Sequence, residues 1–142
     1  METIFYFTSS LYLFYIFFAF FPSAGPQFYY PWPENALPKA YFFDKIMHII
    51  QHVGEQPTGA FPSSHVGISI IFLILMRKTS ELVYWISIPI IFLLILATVY
   101  IKAHFVVDVI GGVIFVPIVL YLSIRIYEII PERSFKDLLG KK

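Results

Sequence analysis

The stretch Leu82–Ile101, LVYWISIPIIFLLILATVYI, runs for twenty residues without a single charge. As a helix rising about 1.5 Å per residue it reaches about 30 Å, the thickness of a bilayer's hydrocarbon core. It is apolar all round, so it offers no face to water. The rest of the chain has the same character. Its 142 residues are 58% hydrophobic and only 13% charged, where a soluble domain carries about 25% charge. The mean hydropathy of +0.77 agrees with an all-α integral membrane helical bundle.

Three further apolar runs flank this one. Ile4–Phe21 is uncharged and just long enough to span. Phe105–Tyr127 can span with some tilt; its Gly111-Gly112 pair lets another helix approach closely. Pro89 and Pro117 are expected to kink their helices without breaking them. His65–Met76 is short, in the range of a re-entrant or core helix. It is counted as a crossing because Arg77 and Lys78 can snorkel to the interface and because the parity of the topology requires it. About four transmembrane helices are therefore expected. Pro22–Pro38, with Phe28, Tyr29, Tyr30 and Trp32, reads as an extended loop in the interface. Ala40–Val53 places Phe42, Phe43, Ile46, Ile49, Ile50 and Val53 at helical spacing, an interfacial amphipathic helix. Residues 1–130 then form one membrane domain and residues 131–142 a short charged tail. The start, Met1-Glu2-Thr3, lacks the basic region of a signal peptide, so the first run is expected to be retained.

Charge placement sets the expected orientation. Of ten Lys and Arg residues, seven (Arg77, Lys78, Arg125, Arg133, Lys136, Lys141 and Lys142) fall in the loop after Met76 or toward the C-terminus. The positive-inside rule puts both termini and that loop in the cytoplasm, and the 22–62 segment on the extracytoplasmic (periplasmic or lumenal) face. The net charge of +1 offers no basic stripe for nucleic acid. The absence of cysteine excludes disulfides, thiolate metal sites and a cysteine nucleophile.

The chemistry-bearing residues fall at the mouths of two apolar runs, both on the outer side. Pro62-Ser63-Ser64-His65 opens one, and Lys102-Ala103-His104-Phe105-Val106-Val107-Asp108 opens the other. On a helix, His104 and Asp108 at i and i+4 share a face. Asp108 would accept the Nδ1 proton and leave Nε2 of His104 to attack, while His65 would serve as general acid. A serine after Pro62 caps the helix, and first-turn N–H groups with the helix dipole attract an anion. Ser63, Ser64 and Lys102 are the candidate phosphate contacts. Ionisable groups at membrane depth point to function before structure.

Gly59-Ala60-Phe61-Pro62-Ser63-Ser64-His65, followed by Tyr100-Ile101-Lys102-Ala103-His104-Phe105-Val106-Val107-Asp108-Val109-Ile110-Gly111-Gly112, resembles the type-2 phosphatidic acid phosphatase superfamily, most closely its inositol phosphorylceramide synthase-like branch. The resemblance covers most of Ile4–Tyr127. It implies a metal-independent lipid phosphatase or phosphotransferase that needs no cofactor. The reaction runs through a phosphohistidine on His104, with Asp108 orienting it and His65 as the acid. It implies a bundle of usually six helices, of which this chain carries the last four.

The chain departs from that family at its cations. Many members carry a Lys-x6-Arg-Pro motif where this chain has Phe21-Pro22-Ser23-Ala24-Gly25-Pro26-Gln27, and a Ser-Arg pair where it has Ala97-Thr98. Lys102 is the nearby substitute, though Lys lacks the bidentate fork of Arg. The expected partners are a phosphorylated lipid and the bilayer, and whether two chains pair as a homo-oligomer stays open. Two other readings stay open as well. One is a catalytically weak or inactive relative acting as a lipid-binding or interaction protein. The other is a metal-dependent hydrolase using His48, His52, His65 and His104.

Overall fold

The computed structural model describes residues 2–30, 46 and 58–129, and every regular element among them is helical. In chain order these are α1 (Glu2–Phe20), α2 (Pro26–Tyr29), α3 (Ser64–Thr79), α4 (Glu81–Tyr100) and α5 (Val106–Ile129). α1, α4 and α5 are long and apolar enough to cross a membrane, and the protein is an all-α membrane helical bundle. The fourth expected crossing is α3, whose 16 residues reach about 24 Å, short of a full hydrocarbon core. Pro89 and Pro117 lie inside unbroken helices. The amphipathic helix expected at Ala40–Val53 lies outside the described residues apart from Ile46, and so does the 131–142 tail.

α3 is the central element, packed against α1, α4 and α5, while α1 also packs along α5. Phe14 of α1, Ile71 of α3, and Val116 and Val119 of α5 form the buried core. Lipid tails are as apolar as these side chains, so close packing and interhelical hydrogen bonds, more than water exclusion, hold such a bundle together. Both are visible. The Phe14 ring seats where Gly67 has no side chain and would collide with any Cβ there. Mid-bundle, the fully buried hydroxyls of Ser10 and Ser123 meet at 2.9 Å, joining α1 to α5. The outer faces of α4 and α5 stay apolar, with Leu82, Trp85, Ile90, Leu93, Ile114 and Ile118 exposed. That is the surface a bilayer covers. An outward groove between α4 and α5, walled by Leu93, Leu96, Val106 and Val109, continues it.

An aromatic seam ties the core to one end of the bundle. Phe17 stacks on Phe21 at 4.7 Å and meets Phe115 edge-on at 4.9 Å; Phe115 in turn meets Phe61 at 6.3 Å. Phe61 precedes Pro62, so the seam fixes the loop that carries the first motif.

Candidate active site

The turn before α3 is built by local capping. Ser63 is the N-cap and its hydroxyl accepts from Val66 N–H at 3.4 Å, so this fully buried side chain is committed to the helix. Its own N–H donates to the Asp108 carbonyl at 2.9 Å, docking the turn on α5. That approach requires Gly112: a Cβ there would stand 2.6 Å from the Ser63 carbonyl oxygen and 3.2 Å from Val66 Cβ. A Cβ on Gly111 would collide with the Phe61 ring. The glycine pair therefore receives the first-motif turn together with the head of α3.

The loop that presents His104 grows from the end of α4. Lys102 N–H donates to Val99 O and Ala103 N–H to Thr98 O, each at 3.1 Å, the paired bonds of a Schellman cap. The left-handed position that glycine usually fills is taken by Lys102, with φ 59°. Its ammonium donates to the Tyr30 carbonyl at 3.0 Å, and its carbonyl accepts from Gln27 N–H at 3.0 Å. Lys102, expected as the phosphate clamp, thus closes α4 and braces α2. The Thr98 carbonyl also accepts His104 N–H at 3.1 Å. So Thr98 supports His104 through its backbone.

His104 is 5% exposed. Its Nδ1–H donates to the Ala60 carbonyl at 2.9 Å, whereas Asp108 Oδ2 lies 3.8 Å from Nδ1, beyond hydrogen-bond length. The expected Asp108–His104 bond is replaced for a geometric reason. α5 begins at Val106, so His104 sits outside the helix and the two side chains approach only to 3.8 Å. Asp108 instead accepts Phe105 N–H at 2.7 Å, covering a donor at the helix start in the manner of a capping box. It remains a buried carboxylate one step from the imidazole.

A carbonyl can only accept, so Nδ1 of neutral His104 carries the proton and Nε2 holds a lone pair. That lone pair faces His65 Nδ1 at 3.3 Å, and His65 is the donor. Burial, and then the neighbouring His65, push the His104 pKa down from 6.5 to about 4, against the Ala60 hydrogen bond. His104 is therefore a neutral base at ordinary pH.

The two imidazoles line a cavity of about 580 Å³. Its polar wall includes Gln27, Thr58, Ser64 and Ser69, and its apolar wall runs along Leu11, Tyr15 and Phe18 of α1 and Ile68 of α3. Ser64 lines it, at the N-terminus of α3, and Ser63, Lys102 and Asp108 are not among its lining residues. The start of α3 opens on the cavity through Ser64, while the start of α5 is covered by its own Asp108.

The segment between α1 and α2 carries no cation, and its role is made of backbone and one hydroxyl. Ser23 O accepts Ala60 N–H at 2.9 Å and Ser23 Oγ accepts Phe61 N–H at 2.7 Å. Gly25 lies so close to the Ala103 carbonyl that a Cβ would collide with it. The segment braces both motif loops at once. Among the described residues, no three His, Cys, Asp or Glu side chains gather as a metal-ligand set; His48 and His52 lie outside them.

A protein-family model described as the PAP2 superfamily matches residues 1–122. No curated protein and no solved structure matches the chain.

Proposed function

This chain belongs to the PAP2 superfamily, which supports a phosphatase- or phosphotransferase-type activity, and we propose that it transfers phosphoryl groups from a membrane lipid phosphate through a phosphohistidine on His104. The observation that carries the reading is the facing of His65 Nδ1 and His104 Nε2 at 3.3 Å over the cavity, with His104 Nδ1 tied off on Ala60.

A phosphorus atom does not fit between nitrogens 3.3 Å apart, so His65, which is exposed, turns aside as substrate binds. Nε2 of His104 attacks phosphorus and the bond to the leaving oxygen breaks. His65, acting as the imidazolium, passes one proton to that oxygen as general acid and is left neutral. The imidazolium formed on His104 is stabilised by the Ala60 carbonyl and by the buried Asp108 carboxylate 3.8 Å away. Water, or a second lipid's hydroxyl, then attacks phosphorus; His65 takes its proton, and the P–N bond to His104 breaks. Ser64 and the α3 N-terminus donate to the phosphoryl oxygens. The apolar wall along Leu11, Tyr15, Phe18 and Ile68 suits the lipid part. No step calls on a metal or cofactor. By charge bias the site faces the extracytoplasmic side with both termini cytoplasmic.

One observation favours a non-catalytic, lipid-binding relative instead: Thr98 and the 21–27 segment stand where many members of the family place cations. Phosphate release from a panel of lipid phosphates, in detergent with chelator, decides between the readings. Release by wild type and its loss in His104→Ala is the expected result. A folded wild type that neither releases phosphate nor moves a head group to an acceptor lipid overturns the enzymatic reading.

A further inference from the structure

We propose that Ser23 is a positioning residue that fixes the tautomer of His104 through the Ala60–Phe61 peptide unit. Its functional consequence rests on the reading of His104 as nucleophile. The Ala60 carbonyl and the Phe61 N–H belong to one rigid plane. His104 Nδ1 holds the carbonyl at 2.9 Å, and Ser23 Oγ holds the N–H on the other side at 2.7 Å. Ser23 grips the same strand a second time, since its carbonyl accepts Ala60 N–H at 2.9 Å.

The plane has two useful settings with opposite consequences. As observed, the carbonyl faces His104, the proton sits on Nδ1, and the Nε2 lone pair is aimed at the cavity. Rotated by half a turn, the unit would present Phe61 N–H to the imidazole. Nδ1 would then have to accept, the proton would move to Nε2, and the attacking lone pair would be lost. Asp108 does not secure the tautomer, because its carboxylate is spent on Phe105 N–H and lies 3.8 Å from Nδ1. The serine hydroxyl is what opposes the rotation. It stands 38 residues upstream of the peptide it holds, on a segment that also braces the His104 loop through Gly25 and Gln27.

The test is 15N NMR of histidine-labelled full-length protein in micelles, with His104→Gln to assign the resonances. In the wild type the expected pattern is a protonated Nδ1 and an unprotonated Nε2. Ser23→Thr, which keeps the hydroxyl, retains that pattern. Ser23→Ala gives a mixture of tautomers, with kcat lower by about tenfold, the scale of one lost hydrogen bond beside the reacting group, and KM little changed. If Ser23→Ala does not fold, Ser23→Cys, a weaker acceptor of similar size, takes its place with the same expectation. A wild-type proton on Nε2, or an unshifted tautomer in the alanine (or cysteine) variant, overturns the proposal. Phosphate release that survives His104→Ala would sink the nucleophile assignment and leave the tautomer result standing.

Discussion

Gly112→Ala places one methyl group where the two motif loops meet. The added Cβ would stand 2.6 Å from the Ser63 carbonyl oxygen, about 0.8 Å inside the 3.4 Å at which ordinary contact begins. The opposing atom is backbone, and it already accepts Gly67 N–H at 3.0 Å in the first turn of α3. No side chain can rotate to relieve it, so α5 and the head of α3 must separate by most of that distance. The Ser63 N–H bond to Asp108 O lengthens, and His65 is carried away from His104. Overpacking of this kind costs about 1–3 kcal/mol, and a misplacement near 1 Å costs up to about 10²-fold in rate. We expect kcat to fall between about tenfold and a hundredfold, with a lowered melting temperature and the apolar wall still binding lipid. Gly111→Ala is the comparison. Its Cβ meets the edge of the Phe61 ring, a side chain that can turn, and its effect on kcat is smaller. Phosphate release and thermal unfolding in the same micelles provide both readouts. A Gly112→Ala protein with wild-type kcat and stability would refute the docking of these loops as the source of the site's geometry.

The depressed His104 pKa gives a signed pH dependence. The unfolded chain takes up a proton near 6.5 and the folded one only near 4. Stability therefore falls as pH drops between those values, by at most about 3 kcal/mol, and His104→Gln abolishes that slope; kcat/KM loses its base in the same acid limb. His65→Ala should cost about 10²–10⁴-fold on an alkyl phosphate but much less on an aryl phosphate, whose leaving group needs no proton; equal losses on both would contradict the acid role. Lys102→Gly relieves a left-handed lysine at φ 59° while removing the bond to Tyr30. As a cap and brace, its replacement leaves kcat/KM within a few-fold, whereas a loss near a hundredfold would restore it as a phosphate clamp. Ser10→Ala strands the buried Ser123 hydroxyl and should lower stability by about 1 kcal/mol with kcat unchanged.

The membrane helices were legible because composition alone decides them: Leu82–Ile101 has no polar face to hide. The meeting of His65 with His104 was legible from two linked motifs at the mouths of apolar runs. α3 was underestimated because Arg77 and Lys78 ended the apolar run, although the helix continues to Thr79. What the residues did not announce was their use of backbone. The Ala60 carbonyl that binds His104 carries no residue signature. Lys102 gave no hint of a left-handed cap, since glycine is the usual sign of one. Asp108 stops 3.8 Å from His104 Nδ1 because the helix begins two residues after the histidine, which no residue pattern announced. Ser23 was invisible because its partners lie in a loop 37 and 38 residues away, joined only by the fold.

The central claim is a covalent phosphoryl bond to His104. Wild-type protein mixed with 32P-labelled lipid phosphate and quenched in alkali should carry label that is stable to base and lost in acid. That label should map to the peptide containing His104 and be absent from His104→Ala. Steady turnover with no label on the quenched protein, or label that persists in His104→Ala, would contradict the account.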